Sequence, residues 1–429
     1  MKPYILLIIL GLSLLVLNSC SFIDGTDDDD ENTQETTAVD SFKVAQISIT
    51  TENAASVSSR ENYVNCSVTV KSDTKQWNYS GKGGIRGRGN SSWHWYSKKP
   101  YRIKLDEKAG ILGLKADKDW VLLANYRDPT QLMNTFAFTV GHGLGLPYTN
   151  RVRYVEVTLN GSYIGLYLLT EQVEQGSSRV AINPDEGVLL SLDLDDGPEL
   201  SPNVGDNFWS SVYQMPVSVK SPDSTFTAQL STVRSNFGQL ENAIRNADYN
   251  AVEKLLDIQS FIDYMLIQEL VYNVEVDAPR SIFLYKDRGG RWTFGPLWDF
   301  DAGFDFDWST MYTGHNYFYS YKELVLGTDP VNHTKGYRVP SFFTDLFRNK
   351  RFVTEYKARW LAVKDKVMSE YWATTQKYAD NISGAMARDA ARWPIDKNYK
   401  TETPRMKQWL TNRIDYLSTI IAKYPAGTK

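Results

Sequence analysis

The sequence predicts an α+β protein whose first part is rich in β-strands and whose last part is helical. Over residues 41–175 apolar and polar side chains alternate in short runs, as in half-buried strands. Over residues 341–424 apolar residues recur at helical spacing. The chain has 429 residues, of which 13% are aromatic. This length suits two domains or one large bilobal unit with a sizeable core.

The first part, residues 41–175, is predicted to contain mainly strands. A hairpin is expected from residues 152–159 and 163–169, because Asn160-Gly161 between them suits the positive φ values of a tight turn. One helix is expected over residues 131–141, with Asp128 or Thr130 near its N-cap. The remaining strands are predicted from alternation at residues 42–49, 65–70, 101–105 and 119–123.

The second part, residues 176–429, is predicted to begin as a mixture of strands and helices and to end as helices. A mostly apolar helix over residues 258–272 is expected to be buried. The helical pattern over 341–424 is interrupted around Trp393-Pro394 and Thr403-Pro404. Residues 172–185 are interpreted as a linker between the two lobes. The other predicted elements are strands at 188–193 and 215–219, a helix at 225–247, and a hairpin of 281–286 with 292–298 across 287–290.

The N-terminus has the pattern of a secreted lipoprotein. Residues 1–19 combine Lys2 with a short apolar run, which is typical of a signal peptide. Leu-Asn-Ser-Cys resembles a bacterial lipobox, in which Cys20 becomes the lipidated first residue. The acidic stretch 20–40 is expected to be a disordered tether and resembles the surface-export signals of Bacteroidetes lipoproteins. An outer-membrane anchor is therefore expected, with the cell surface favoured and a periplasm-facing orientation as the alternative; a plain signal peptide or short anchor is the simpler interpretation of residues 1–20.

The charge of the chain is divided between this tether and the body. The formal net charge is −4, but residues 1–40 hold one basic and eight acidic side chains, so the remainder carries +3. Such a weakly charged body argues against a nucleic-acid partner. Cys66 is the one other cysteine, and its place in an alternating stretch predicts a buried strand residue with no disulfide.

A glycine-rich segment, residues 81–93, is the first candidate for binding chemistry. Glycines let backbone N–H groups approach an anion, and Arg86 and Arg88 are suited to gripping phosphate by bidentate contacts. The strand that follows contains Lys104. A glycine-rich turn followed by a strand lysine is the order in which protein kinases hold ATP phosphates. An ordinary glycine-rich turn is the simpler interpretation of the segment taken alone.

Two acidic clusters are the next candidates. Asp299 and Asp301 alternate on an extended segment, so both carboxylates are expected on one side, where hard oxygen ligands suit Mg²⁺ or Ca²⁺. Glu275 and Asp277 follow the predicted buried helix directly. A carboxylate in such a loop is well placed as the base for a hydroxyl nucleophile. An acidic turn and ordinary loop polarity are the structural alternatives.

Taken together, these clusters resemble the CotH kinase family, named after spore-coat protein H. Five ordered motifs carry the resemblance over about residues 40–310. They are Arg86-Gly87-Arg88-Gly89-Asn90-Ser91-Ser92-Trp93, Lys98-Lys99-Pro100-Tyr101-Arg102-Ile103-Lys104-Leu105, Trp120-Val121-Leu122-Leu123-Ala124-Asn125-Tyr126, residues 159–171 and Trp298-Asp299-Phe300-Asp301.

The resemblance implies an atypical protein-kinase-like bilobal fold that uses ATP with Mg²⁺ or Mn²⁺ to phosphorylate Ser or Thr. It implies that Asp299, with Asp301, holds the metal and that Asp277 is the catalytic base. Because the family pattern has an acid closely after Asn, Glu275 is the alternative base. The nucleotide-binding residues that it implies, together with those of the glycine-rich segment, are Arg86, Arg88, Asn90, Lys104, Glu171 and Trp292.

Two functions follow from the sequence. The first is a lipid-anchored kinase that transfers the γ-phosphoryl group of ATP to a protein at the cell surface or in the periplasm. The second is a catalytically silent surface lipoprotein that acts as an adhesin or as a glycan-binding or protein-binding module. The aromatic residues suggested for such binding are Trp93, Trp95, Tyr96, Tyr312 and Tyr317.

Overall fold

The structure is a computed structural model that describes residues 41–195, 207–222, 227–307, 309, 317–332, 339–394 and 398–429. The predicted signal peptide, the lipidated Cys20 and the acidic tether lie outside these residues. Tyr312 of the proposed aromatic set also lies outside them. Within the described part, no helix combines the length and the apolar character needed to cross a membrane.

Seven strands of the first part form a closed β-barrel in the order β1-β2-β3-β4-β5-β7-β6. Neighbouring strands are antiparallel, except that β1 closes the barrel by running parallel to β6, with Ile47 opposite Val157. The strands are β1 (Ala45–Thr51), β2 (Val64–Lys71), β3 (Tyr79–Gly87), β4 (Tyr101–Ala109), β5 (Asp117–Leu123), β6 (Val152–Leu159) and β7 (Ser162–Glu171).

The barrel interior explains the alternation in the sequence. Every second residue of β1 is buried, so Ile47 and Ile49 point inward while Ser48 points to solvent. Cys66 lies in this interior, as predicted, and burial raises the pKa of its thiol to about 11. The prediction of a β-rich first part is confirmed, but alternation alone does not predict that the sheet closes.

The outer face of β5, β6 and β7 is also buried, and it joins the barrel to the rest of the protein. Tyr154, Leu166 and Leu168 belong to a second apolar core that continues as far as Tyr424. The ring of Tyr154 packs against Tyr378 of a C-terminal helix, with ring centroids 5.6 Å apart. Residues 165–169 of β7 therefore read as a continuous apolar run, because both faces of the strand are buried there.

A second sheet of five antiparallel strands follows, in the order β12-β11-β8-β10-β9. Its strands are β8 (Val188–Leu192), β9 (Asn207–Trp209), β10 (Pro216–Ser221), β11 (Ile282–Lys286) and β12 (Trp292–Phe294). The last strand is shorter than the predicted 292–298. Gly295 adopts a φ of 122° and Pro296 has no N–H for a ladder, so regular pairing ends at Phe294.

The helices cover the second sheet and one side of the barrel. In chain order they are α1 (Ser91–His94), α2 (Met133–Leu144), α3 (Thr227–Arg245), α4 (Tyr249–Leu255), α5 (Ile258–Val271), α6 (Lys350–Lys366), α7 (Ala373–Arg392) and α8 (Tyr399–Ala422). A π-helical turn, Val367–Trp372, connects α6 to α7. The predicted burial of α5 is confirmed, since almost all its residues are buried.

Two predictions about the second part differ from the structure. The expected interruption at Thr403-Pro404 is wrong, because Pro404 lies inside α8, which continues to Ala422. The segment interpreted as a linker is packed into the core, where Val173, Val180 and Ile182 are buried. The helix α8 tolerates the missing N–H donor of Pro404 because the donor is lost near the start of a helix whose apolar face is well packed. The segment 172–185 is buried because its apolar residues lie within reach of the core.

Candidate functional site

The acidic segment after β12 is fixed by hydrogen bonds to its backbone. Asn134 of α2 accepts the N–H of Phe300 through its side-chain oxygen at 2.9 Å. The hydroxyl of Tyr317 donates to the carbonyl of Asp301 at 2.8 Å. Asp299 has a φ of 59°, a left-handed conformation that aspartate and asparagine adopt more readily than most residues. The backbone thus sets the direction of both aspartate side chains.

The turn after α5 is joined to this acidic segment by one side chain. Asn273 follows Tyr272, the residue with positive φ that ends α5. Its side-chain amide donates to the carbonyl of Asp299 at 3.4 Å, and its side-chain oxygen accepts the N–H of Glu275 at 3.2 Å. Two clusters that are more than twenty residues apart in the sequence therefore form one site.

Three carboxyl groups interact within this site. Burial raises the pKa of Asp299 well above its usual range, and repulsion from Asp301 and Glu275 adds to the rise, while Arg127 opposes it. Burial likewise raises the pKa of Glu275 to about 7, although Arg127 and Arg280 oppose the rise. In both groups, burial and repulsion between carboxyls outweigh the attraction to the nearby arginines.

Arg127 is a positive group in direct contact with this cluster. Its guanidinium forms an ion pair with Oδ1 of Asp301, and the Arg127 side chain is only 5% exposed. The guanidinium also lies over the ring of Phe306, 4.7 Å from the ring centroid. Because Asp301 is 17% exposed, this ion pair lies at the border between the core and solvent.

Arg88 approaches the cluster from the barrel. Its guanidinium lies over the ring of Trp298, 5.1 Å from the centroid. Burial lowers the pKa of Arg88 to about 10; attraction to Asp299 opposes this change, and repulsion from Arg102 and Arg86 adds to it. Among the described residues, the Arg88 side chain makes neither a hydrogen bond nor an ion pair. Its five donors are therefore available to an anion beside Asp299.

The pair Asp299 and Asp301 fits a divalent cation that takes further oxygens from a substrate. Both carboxylates belong to one short segment, and the two groups are close enough for their negative charges to repel each other. In the described part of the chain, no group of three or more His, Cys, Asp or Glu side chains is placed to hold a metal. Two carboxylates completed by phosphate oxygens and water are a normal arrangement for Mg²⁺.

One comparison with known proteins gives a match over most of the chain. The family model described as CotH kinase protein matches residues 85–417, which is more than half of the chain. The chain belongs to the CotH kinase protein family. A search of curated proteins found no match.

This CotH family protein does not bring all the predicted basic residues to the acidic cluster. Arg86 donates to the carbonyl of Arg60, and its guanidinium lies 5.2 Å from the centroid of the Tyr63 ring. Lys104 is exposed on the outside of the barrel and lies opposite Gly84 in the pairing of β3 with β4. No hydrogen bond or ion pair joins Lys104 to Asp299 or Asp301 within the described residues.

Asn90 and Glu171 have positions of different kinds. Asn90 is exposed at the N-terminus of α1, where its carbonyl accepts the N–H groups of Trp93 and His94. Glu171 is buried at the end of β7, and its Oε2 accepts the N–H of Arg151 at 2.5 Å. Burial raises the pKa of Glu171. No described contact connects either residue with Asp299.

Trp292 lies in the second sheet and is only 1% exposed. Its ring packs edge-on against Phe237, with centroids 5.8 Å apart. It contributes to the wall of a cavity of about 440 Å³ that also contacts Val188 and Asn236. Neither Asp299 nor Asp301 lines this cavity, so Trp292 and the acidic cluster belong to different places in the fold.

The two candidate bases differ in their surroundings. Glu275 is 6% exposed and interacts electrostatically with Asp301 and Arg127. Asp277 is exposed at the end of the 3-10 turn Val274–Val276. The structure therefore places Glu275 inside the cluster and Asp277 at its outer side.

The four described residues of the aromatic set suggested for glycan or protein binding do not form one exposed surface. Tyr96 and Tyr317 are buried, whereas Trp95 is 47% exposed. Trp93 is half-buried beside Tyr101, with ring centroids 6.3 Å apart. These rings mainly fill cores and loops.

Sequence reasoning missed two residues of the site. Arg127 directly precedes Asp128, which was considered only as a helix cap, and Asn134 lies in what was predicted to be an ordinary helix. A basic residue in the loop that follows a buried strand was the available signal for Arg127. No local pattern distinguishes Asn134, because its role depends on a hydrogen bond to Phe300, 166 positions away.

Proposed function

We propose that this protein transfers the γ-phosphoryl group of ATP to a Ser or Thr hydroxyl of another protein. The observation that carries the proposal is the meeting of Asp299, Asp301 and Glu275 in one cluster beside the available guanidinium of Arg88. Phosphoryl transfer depends mainly on positioning and on charge stabilisation, and this cluster offers groups for both.

Each residue of the cluster has a distinct role in this proposal. Asp299 and Asp301 hold Mg²⁺ or Mn²⁺, which offsets negative charge on the phosphates when it is bound. Arg88 binds phosphate oxygens through its guanidinium. Glu275 accepts the proton of the attacking hydroxyl, because a carboxylate with a pKa of about 7 is a suitable base near neutral pH.

The kinase-like bilobal arrangement is part of the same proposal. The barrel provides Arg88, and the helical part provides Asn273 and Glu275 from the end of α5. The acidic segment between them lies after the second sheet. A nucleotide bound at Arg88 and Asp299 would therefore contact both parts, as ATP does between the lobes of a kinase.

The location of the activity is proposed from the N-terminal sequence. A signal peptide over residues 1–19 and a lipid on Cys20 would anchor the protein in the outer membrane, and residues 20–40 would separate the folded part from the lipid surface. The acceptor would then be a protein at the cell surface or in the periplasm. The negatively charged tether favours the surface.

The test is transfer of label from γ-labelled ATP with Mg²⁺ or Mn²⁺ to the chain itself or to proteins of the cell envelope. Asp299→Asn is the most suitable inactive variant, because asparagine tolerates a φ of 59° and so removes the charge without straining the backbone. Asp415→Asn on the exposed side of α8 is the matched control.

Labelling by the wild type and by Asp415→Asn, but not by Asp299→Asn, would support the proposal. Equal labelling by Asp299→Asn would contradict it. ATP should also raise the melting temperature of the wild type in the presence of Mg²⁺, because a ligand that binds only the folded state stabilises it. No labelling together with no thermal shift would rule out the kinase function.

A further inference from the structure

Local hydrogen bonds hold the loop that presents Arg127. This loop connects β5 to α2, and Asn125 and Gln131 within it both have positive φ. The side-chain amide of Gln131 donates to the carbonyl of Asn125 at 3.0 Å. Asp128 is fully buried, and its carboxylate accepts the N–H groups of Thr130 and Met133, each at 2.8 Å. Arg127 therefore has a fixed backbone from which to reach the acidic cluster.

The contacts of Arg127 restrict its guanidinium as well. It pairs with Asp301 on one side and lies over the Phe306 ring on the other. A buried guanidinium is costly unless it remains paired with an anion. Arg127 is consequently a permanent positive charge on a carboxylate that also suits a divalent cation.

The charges of the cluster affect how a divalent cation can approach Asp301. Arg127 is the one cation in ion-pair contact with Asp301 among the described residues, whereas Asp299 and Glu275 repel each other and Asp301. A free divalent cation that approaches Asp301 meets the positive charge of Arg127. A cation that arrives with a polyphosphate meets less repulsion, because the phosphates offer negative charge to Arg127 and Arg88.

We propose that Arg127 is a positioning residue that holds Asp301 and makes binding of the divalent cation depend on a bound polyphosphate. This proposal rests on the phosphotransfer function proposed above. In the nucleotide-free protein the guanidinium acts as an internal counter-charge for Asp301 and weakens binding of the metal alone. When a nucleoside triphosphate is present, the anionic phosphates remove this penalty, so metal and nucleotide bind cooperatively.

The test measures Mn²⁺ binding to the full chain by electron paramagnetic resonance, without nucleotide and with a non-hydrolysable ATP analogue. For the wild type we expect weak Mn²⁺ binding alone and at least about tenfold tighter binding with the analogue. For Arg127→Gln we expect Mn²⁺ alone to bind at least about tenfold more tightly than to the wild type, because a nearby positive charge has been removed. The analogue should then add little.

Two further variants are compared: Arg127→Lys, which conserves the charge, and Arg351→Gln, which is the control. Lysine keeps the charge but has a shorter, compact head, so its Mn²⁺ affinity should lie between those of the wild type and Arg127→Gln. Arg351 is exposed on α6 and pairs with Glu253 and Glu355, so its variant should match the wild type. If Arg127 were only structural, Arg127→Gln would weaken Mn²⁺ binding. The proposal requires that Arg127→Gln strengthens Mn²⁺ binding.

The outcomes separate the two proposals. Mn²⁺ binding to Arg127→Gln that is equal to or weaker than that of the wild type, in a protein that retains its cooperative melting, overturns the role of Arg127 alone. If Arg127→Gln does not fold, Arg127→Lys with both wild-type Mn²⁺ affinity and wild-type coupling to the analogue overturns it as well. A wild type that binds no Mn²⁺ even with the analogue overturns the metal-dependent phosphotransfer itself.

Discussion

The ammonium of Lys98 lies 2.8 Å from Oδ1 of Asp389, and both side chains are buried. The same oxygen accepts the N–H of Leu166 at 2.8 Å. The ammonium also lies 4.8 Å from the centroid of the Tyr167 ring. This ion pair attaches α7 to the outer face of β7, so it connects the barrel with the helical part that carries the candidate base.

We predict that breaking this ion pair destabilises the protein strongly. Lys98→Met leaves the Asp389 carboxylate buried without its partner, so the free energy of unfolding should fall by about 3–5 kcal/mol. The double variant Lys98→Met with Asp389→Asn should lose less than the sum of the single variants. Urea unfolding measures both. Lys366→Met, which breaks an exposed pair with Glu370, should cost less than about 1 kcal/mol, and an equal cost for Lys98→Met would refute the prediction.

Substitution of each candidate base in turn should lower kcat to a different extent. Glu275→Gln should lower kcat by about 10²–10⁴-fold with little change in KM for ATP, since general-base catalysis contributes this much. Asp277→Asn should lower kcat by less than about tenfold, because Asp277 is exposed at the outer side of the cluster. Steady-state kinetics with γ-labelled ATP decides between them. The reverse order of effects would assign the base to Asp277.

Arg88 should be a larger determinant of ATP affinity than Arg86. Arg88→Lys removes the planar guanidinium that lies over Trp298 beside Asp299, so Kd for ATP should rise about tenfold. Arg86→Lys serves as the matched variant, because Arg86 already donates to the carbonyl of Arg60. Isothermal titration calorimetry measures both. Equal effects of the two substitutions would mean that the glycine-rich segment binds phosphate as a whole.

Glu174 should make stability decrease as the pH rises from about 4.5 to about 7. Burial raises the pKa of Glu174 to about 7, repulsion from Asp119 adds to the rise, and Arg102 opposes it. Between the unfolded and the folded pKa, Glu174 is protonated in the folded state and ionised in the unfolded state. Folding therefore takes up a proton in this range, and the free energy of unfolding falls as the pH rises.

The measurement compares the wild type with Glu174→Gln by urea unfolding at about pH 5 and about pH 8. The loss of unfolding free energy between these pH values should be larger in the wild type by about 1–3 kcal/mol. Asp415→Asn should leave the pH dependence as in the wild type, because Asp415 is exposed on α8. An unchanged slope in Glu174→Gln would show that other groups cause the pH dependence.

Most elements of the fold follow from local patterns. The hairpin of β6 and β7 follows from Asn160-Gly161, where both residues adopt positive φ, and the buried helix α5 follows from its apolar composition. The end of β12 has a local cause in Gly295 and Pro296, but the continuity of α8 through Pro404 does not follow, because it depends on how α8 packs against other elements.

The sequence predicts the types of residue in the candidate site better than it predicts which individual residues lie there. Asp299, Asp301 and Glu275 were identified from motifs, and the structure brings them together through Asn273. Lys104 was predicted to bind phosphate because a glycine-rich turn and then a strand lysine occur in this order in kinases. It lies on the outside of the barrel, because strand alternation places residues 102 and 104 on the face opposite to Ile103.

The α+β class, the lipoprotein-like N-terminus and the resemblance to the CotH kinase family are all visible in the sequence, because they depend on local periodicity and on short motifs. Folding of the whole chain closes the first sheet through the parallel pairing of β1 with β6. It also lets Arg127 neutralise Asp301, 174 positions away. Contacts between distant segments depend on how the two cores pack, and no local pattern of residues contains that information.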